Sequence, residues 1–219
     1  EKAFIIPEKC NNCGECIKYC PMKAIESSSK GVAINSISCT GCGLCVPKCP
    51  TEAIDLKHST DSQLMAQIEG TSEEDGDRPR ILAFLEKTTA YGSADLAGQT
   101  RVSYTPDVKI ISVPSTGRVG LKHVLHAFAS GADGIIFIEG DDSPFREEGI
   151  RDHVNSMKKE LSKFGVESLR LVSLTTTLPQ YDKVVNLFQT FDERISKMGR
   201  IAPEKREKIA EALAGGQKQ

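Results

Sequence analysis

From Arg80 onward the chain alternates short, unbroken apolar runs with longer stretches in which apolar residues recur every three or four positions. Ile81–Leu85, Val108–Val113, Gly134–Ile138 and Leu169–Leu174 are runs of the first kind. Each predicts a strand covered on both faces, because a strand with one wet face would alternate apolar and polar residues. Helical spacing follows each run, from Ser93, then over Leu121–Ala129, Phe145–Phe164 and Tyr181–Met198. Four β–α units in succession predict a parallel sheet with right-handed crossovers and helices on both faces. A flavodoxin-like strand order is expected. Pro203–Ala214 reads as a terminal amphipathic helix and Gly215–Gln219 as a frayed tail.

The first 57 residues read differently. Their apolar runs are too short for a large core: Ala3–Ile6, Ile25–Glu26, Val32–Ile34 and Ile54–Leu56. Shifting the sequence by 29 positions lays Gly14 on Gly43, Pro21 on Pro50, Ala24 on Ala53 and Ile25 on Ile54. Two such halves predict a pseudo-twofold unit with small antiparallel hairpins. Between the two regions, residues 58–79 carry Asp61, Glu69, Glu73, Glu74, Asp75 and Asp77 against Arg78 alone. Thr60–Ile68 reads there as a short helix capped by Thr60 or Asp61, with Leu64, Met65 and Ile68 on its apolar face. Gly70–Pro79 has the composition of a flexible connector. The expected organisation is therefore a small module at 1–57, an acidic linker at 58–79, an α/β domain at 80–198, and a helix and tail at 199–219.

Cysteine changes the picture of the small module. Cys10, Cys13, Cys16, Cys20, Cys39, Cys42, Cys45 and Cys49 are the only cysteines, and the shift of 29 superimposes the first four on the second four. Disulfide scaffolds crowd cysteines into short secreted chains. Here a long cysteine-free region follows, which points to metal chemistry in a reducing compartment. Each half reads C-x-x-C-x-x-C-x-x-x-C-P. Three cysteines at intervals of three wrap one corner of a cubane, with Gly14 and Gly43 allowing the tight backbone. The fourth is turned away and, in two-cluster ferredoxins, ligates the other cluster. The spacing thus assigns Cys10, Cys13, Cys16 and Cys49 to one 4Fe–4S cluster and Cys39, Cys42, Cys45 and Cys20 to a second. Zinc sites favour paired C-x-x-C or cysteine with histidine, which is a different pattern.

Overall composition narrows the partners. Hydrophobic residues make up 39% and charged residues 26%, as in ordinary soluble proteins. The formal charge of −2 favours neither nucleic acid nor an anionic membrane as partner. Eight thiolates around two oxidised cubane cores of about +2 each would make the loaded module about four charges more negative. No apolar run approaches the ~20 residues of a membrane helix, so no direct membrane insertion is expected. The chain begins with Glu1 rather than Met, so a longer parent protein is expected.

Ligands in parallel α/β sheets sit beyond the carboxyl ends of the strands. Those segments are Glu86–Ser93, Pro114–Gly120 and Glu139–Arg146, holding Thr88, Thr89, Tyr91, Ser115, Thr116, Arg118, Asp141 and Asp142. A glycine-rich turn with hydroxyls and Arg118 before a helix can receive an anion, and the same residues serve as helix caps and turns. There is no G-x-G-x-x-G, P-loop or triad, and no catalytic residue is assigned. His123 and His126 share one helix face without a third ligand, which points to structural roles.

Two families share these features. Residues 1–70, with the paired motifs followed by His58–Ile68, resemble the C-terminal ferredoxin region of the heterodisulfide reductase A-type subunits. Residues 80–198 resemble the delta subunit of the methyl-viologen-reducing hydrogenase, through Tyr91–Gly98, Gly117–Arg118–Val119 and Gly131–Gly134. In that subunit cysteines after the first three strands hold a 2Fe–2S cluster. The positions here are Leu85, Glu86, Thr89, Ser115, Gly140 and Phe145, none of them a thiolate, so the second domain is expected to serve as a docking surface. The fusion, with those cysteines missing, resembles the B-type subunits of quinone-interacting membrane-bound oxidoreductase complexes. That resemblance implies an FAD-binding region N-terminal to residue 1 and partner redox subunits of a membrane-associated complex. It further implies a cytoplasmic, membrane-peripheral location in an anaerobe. Electrons would pass between the menaquinone pool and adenylylsulfate reductase in sulfate reduction. The alternatives are the ferredoxin segment of a heterodisulfide reductase A-type subunit, or an α/β domain with its own nucleotide or flavin site. In every case but the last the chain is an electron-transfer part of an oxidoreductase rather than a self-contained catalyst.

Overall fold

The computed structural model describes residues 1–28, 31–71, 78–145 and 147–216. The small module is built from β1 (Ala3–Ile5), α1 (Glu15–Lys18), β2 (Ile25–Ser28), β3 (Gly31–Ile34) and β4 (Ile54–Leu56). β2 and β3 form an antiparallel hairpin, while β1 pairs antiparallel with β4, Ala3 opposite Leu56 and Ile5 opposite Ile54. The first strand of the first half is thus zipped to the last strand of the second. The two halves repeat in their backbone as well as in their sequence. Asn12 and Gly41 share a positive φ (59° and 74°), as do Gly14 and Gly43 (75° and 80°) and Lys23 and Glu52 (49° and 51°). Across the pseudo-twofold, Ile6 N–H donates to the Ala53 carbonyl at 2.7 Å and Asn35 N–H to the Ala24 carbonyl at 2.8 Å. A small core of Ile25, Ile54, Leu56 and Val46 packs with Cys16 and Cys45.

The larger region is a four-stranded parallel sheet in the order β6-β5-β7-β8, the flavodoxin-like order expected for four strands. The strands are β5 (Ile81–Glu86), β6 (Val108–Val113), β7 (Gly134–Gly140) and β8 (Leu171–Thr176). One core joins Leu82, Phe84, Ile135 and Phe137 to α4 (Leu121–Ala129) and α5 (Glu147–Ser162). The other joins Ile81, Ala83, Leu85, Ile136 and Ile138 to α3 (Thr89–Gln99) and α6 (Tyr181–Met198). β5 and β7 are buried at every position, which is why their sequences are unbroken apolar runs.

Several boundaries differ from expectation. α3 starts at Thr89 rather than Ser93, because the Glu86 carboxylate accepts from the N–H groups of Thr88, Thr89 and Ala90 and so caps the helix from the strand end. β8 runs to Thr176 and starts at Leu171, since residues 168–170 form a 3-10 turn that leaves Leu169 exposed. β7 continues two residues past Ile138 to Gly140. The connector expected at Gly70–Pro79 falls largely on residues 72–77, outside the described residues.

The segment read as linker contributes to the core. α2 (Asp61–Gly70) is closed by a capping box in which Thr60 Oγ1 accepts from Gln63 N–H and Gln63 Oε1 accepts from Thr60 N–H. It buries Leu64 and Ile68 in the same core as α4. α7 (Pro203–Gly216) also packs on α4, burying Ile209. Its entry is held by Asp133, a fully buried carboxylate that accepts from the N–H of Arg80 (3.1 Å) and Ile201 (2.9 Å) and pairs with Arg206.

The two regions meet at Arg118, whose side chain is completely buried. Its guanidinium reaches Asp61 Oδ1 at 3.1 Å, Asp55 Oδ1 at 3.3 Å and the Ser59 carbonyl at 3.4 Å. Asp55 lies on β4 of the small module and Asp61 opens α2. His123 of α4, also buried, approaches the same Asp61 oxygen at 2.9 Å. The close approach of His123, outweighing the cost of burial and joined by Arg118, holds the Asp61 carboxyl far below the usual carboxylate range. Lys122 to Glu52 (2.6 Å) and Lys87 to Glu1 (3.0 Å) bridge the regions at the surface.

Replacing Arg118 by Met leaves Asp55 and Asp61 facing a buried gap. The expected loss is about 3 kcal/mol of stability, read as a lower urea midpoint. Because the folded Asp61 carboxyl titrates below the unfolded one, its contribution is complete above the ordinary carboxylate value near ~4 and shrinks as pH falls below it. The stability difference between the parent chain and Asp61→Asn should therefore narrow on acidification, as urea midpoints measured at successive pH values would report.

Candidate cluster-binding site

Each cysteine-rich loop is a run of tight turns. In the first half, Ile17 N–H donates to the Gly14 carbonyl (3.1 Å), Cys20 N–H to Ile17 (3.4 Å) and Lys23 N–H to Cys20 (3.1 Å). In the second, Val46 donates to Gly43 (3.0 Å), Cys49 to Val46 (3.1 Å) and Glu52 to Cys49 (3.2 Å). The left-handed conformations of Gly14 and Gly43 turn the chain between the second and third cysteine of each run. Backbone N–H groups then point at sulfur: Ala24 N–H lies 3.3 Å from Cys20 Sγ and Ala53 N–H 3.2 Å from Cys49 Sγ. Such donors stabilise a thiolate over a thiol.

The eight thiols are free, with no disulfide among them. The sulfurs whose negative charge would act on Cys16 are those of Cys49, Cys13 and Cys10. Those acting on Cys45 are Cys42, Cys20 and Cys39. Each set, with the thiol it acts on, takes three members from one run and the fourth from the other. Cys20, Cys39, Cys42 and Cys45 also line a single cavity with Ala3, Pro21, Ile25 and Ile34 among its apolar walls. Burial raises the thiols of Cys16 and Cys42 and pushes Cys45 up to about 12. Bare thiolates are costly in such surroundings, and a metal's positive charge is what makes them ligands. Four sulfurs on one cavity, amides aimed at sulfur and apolar walls fit a 4Fe–4S cubane.

The strand ends of the larger region hold a closed polar network. Glu86 and Glu139 directly follow the register-paired Leu85 and Ile138, and both are buried. Glu139 Oε2 accepts from Thr116 N–H at 2.7 Å and from the Thr116 hydroxyl, and Oε1 accepts from the Ser143 hydroxyl. Burial pushes the Glu139 carboxyl up. Glu86 binds the start of α3, and the Thr89 hydroxyl donates to Asp142 at 2.9 Å. Ser115 Oγ accepts from Gly117 N–H. Thr88, Thr89, Ser115, Thr116 and Asp142 are thereby brought together, whereas Tyr91 and Asp141 face solvent. Arg118, read from sequence as an anion receiver, points away to Asp55 and Asp61. Of the six positions Leu85, Glu86, Thr89, Ser115, Gly140 and Phe145, Glu86, Thr89 and Ser115 belong to this network, and none of the six is a thiol.

Sequence reading missed the two buried glutamates. Their signal is a Glu at the end of two apolar runs, one residue beyond Leu85 and Ile138. It also missed the seat of the Pro114–Gly120 turn on the second cysteine loop. A Cβ on Gly117 would be driven into Leu44, and one on Gly43 would lie 2.5 Å from Arg118 Cδ. Among the histidines, His126 Nε2 meets Glu69 at 3.0 Å, and His153 Nε2 donates to the Val119 carbonyl at 2.8 Å. Among the described residues no helix is long and apolar enough to cross a membrane.

Comparison with known proteins divides the chain in the same two parts. Residues 3–56 match the 4Fe-4S dicluster domain family. The A-type subunit of the ferredoxin:CoB-CoM heterodisulfide reductase of Methanosarcina mazei is 29% identical over 96% of this chain and 27% of its own length. The corresponding heterodisulfide reductase polypeptide of Methanosarcina acetivorans, ferredoxin- or F420H2-dependent, is 30% identical over 95% of this chain and 27% of its own length. The chain therefore spans about a quarter of these relatives. The D-type iron-sulfur subunit of a vhu F420-non-reducing hydrogenase from Methanopyrus kandleri is 33% identical over 56% of this chain and 96% of its own length. Residues 81–199, more than half of the chain, match the family of the methyl-viologen-reducing hydrogenase delta subunit, and the chain belongs to that family, joined here to a dicluster ferredoxin module.

Proposed function

We propose that the chain is the electron-relay segment of a larger redox protein of the heterodisulfide reductase A type. In this reading Cys10, Cys13, Cys16 and Cys49 hold one 4Fe–4S cluster, and Cys39, Cys42, Cys45 and Cys20 hold the other. The observation that carries it is the cavity on which Cys39, Cys42 and Cys45 of the second run meet Cys20 of the first. Bound there, such clusters supply one-electron storage at low potential. The protein's own contribution is positional. The Ala24 and Ala53 amides stabilise negative charge on Cys20 and Cys49. The apolar walls around Cys42 and Cys45 keep water from the sulfurs. No side chain is required to move a proton.

A narrower reading is favoured by one observation, the absence of thiols at the strand ends of residues 80–198, where Glu86, Thr89 and Ser115 stand. It makes the parent a flavin-containing B-type subunit of a quinone-interacting membrane-bound complex, passing electrons between menaquinone and adenylylsulfate reductase. Under the broader reading the parent serves a heterodisulfide reductase, and FAD again belongs upstream of residue 1. Reoxidation of the dithionite-reduced chain by purified adenylylsulfate reductase supports the narrower assignment, and no reaction with it removes that assignment.

The relay reading itself is tested by metal analysis. Anaerobically isolated chain should contain about eight iron and about eight acid-labile sulfide per polypeptide. One or two zinc ions without sulfide would contradict it, and about ten iron would require a further cluster in the α/β domain.

A further inference from the structure

The two cysteine loops share a backbone but not an environment. Asn12 and Cys13 are exposed, whereas their repeat partners are buried Gly41 and half-buried Cys42. Gly14, Glu15 and Ile17 are half-buried, and Gly43, Leu44 and Val46 are buried. The side chains match these environments. Glu15 and Lys18 form a surface ion pair at 2.6 Å with 38% and 67% of their side chains exposed. At the same repeat positions Leu44 and Pro47 are apolar, and they pack on the chain's own α/β domain. Leu44 sits against Gly117 and Pro47 against Gly120, each without room for a Cβ between them. Gly43 lies beneath Arg118, and Gly41 beneath the Glu1 backbone. The cover is pinned by the Arg118 pairs to Asp55 and Asp61 and by Lys122 to Glu52.

Resting on the two-cluster reading above, we infer that the Pro114–Gly120 turn is a built-in cap that closes the Cys39–Cys45 loop to other proteins. The Cys10–Cys16 loop is then the port through which the chain exchanges electrons. Electron tunnelling needs a short gap between centres, so a partner must approach the rim that is exposed among the described residues. That rim, Glu8 to Glu15, carries asparagines and charges of both signs rather than an apolar patch. It fits a protein surface bearing a one-electron centre in a small, polar and transient contact. One electron leaves the partner's reduced centre, oxidising it by one, and is held in the chain. No bond is made or broken and no proton has to move. Retaining a capped second group behind an exposed first one makes the inner site a store that partners reach only through the outer one.

The experiment is electron paramagnetic resonance power saturation of the reduced, cluster-loaded chain with and without a soluble dysprosium chelate, which speeds relaxation of centres near solvent. Cys13→Ser and Cys42→Ser identify the two signals by perturbing one each. The expected result is that the chelate desaturates the signal altered in Cys13→Ser and leaves the one altered in Cys42→Ser unchanged. In a Leu44→Glu, Pro47→Lys double variant, which writes the polar residues of the first loop onto the second, both signals should desaturate. Equal desaturation of both signals in the parent chain, or a stronger effect on the Cys42 signal, overturns the inference whether or not the double variant folds. A reduced chain with no cluster signal at all overturns the cluster reading instead, a result distinct from two equally exposed clusters.

Discussion

The proposed two-cluster reading places one constraint on the small module, that each group of four sulfurs must be completed from the other half of the sequence. A three-cysteine loop closes on itself locally, but Cys20 and Cys49 lie beyond a turn that carries them away from their own loops. The pairing of β1 with β4 and the crossed hydrogen bonds of Ile6 and Asn35 bring the halves into the register that this exchange requires. Strands of three or four residues with a handful of buried apolar side chains would not hold such a register alone. In the proposed two-cluster reading, eight thiolate ligands, two of them (Cys20 and Cys49) crossing the pseudo-twofold, would supply what the core lacks.

Around that module the rest of the chain is arranged by charge and close packing. Arg118 leaves its own domain to satisfy Asp55 and Asp61, so the small module, α2 and the parallel sheet share one buried ionic junction. A buried pair of this kind contributes more to a unique arrangement than to net stability. The arrangement it fixes places the Pro114–Gly120 turn at the sheet's strand ends on top of the second cysteine loop. In this chain Glu86, Glu139, Thr89, Thr116 and Ser143 close those strand ends with hydrogen bonds.

Much of this was legible in the sequence. The unbroken runs of Val108–Val113 and Gly134–Ile138 announced buried parallel strands because a doubly covered strand has no wet face to encode. The repeat of 29 announced the dicluster ferredoxin module, since the spacing of its cysteines is set by the size of a metal core. What escaped is tertiary in origin. The early start of α3 depends on a carboxylate at the end of the preceding strand rather than on helix propensity. Residues 58–71 look like a linker by charge, yet Leu64 and Ile68 face a core that only the folded sheet creates. The contrast of Glu15 and Lys18 with Leu44 and Pro47 was visible in the repeat, but its meaning required knowing what lies over the second loop.

The exchange of Cys20 and Cys49 between halves is the claim on which the account turns, and electron paramagnetic resonance of Cys20→Ser measures it most directly. The account predicts that this substitution perturbs the same signal as Cys42→Ser and spares the signal perturbed by Cys13→Ser. Perturbation of the Cys13 signal, with the Cys42 signal intact, would mean that each run closes on its own cluster and would contradict the account.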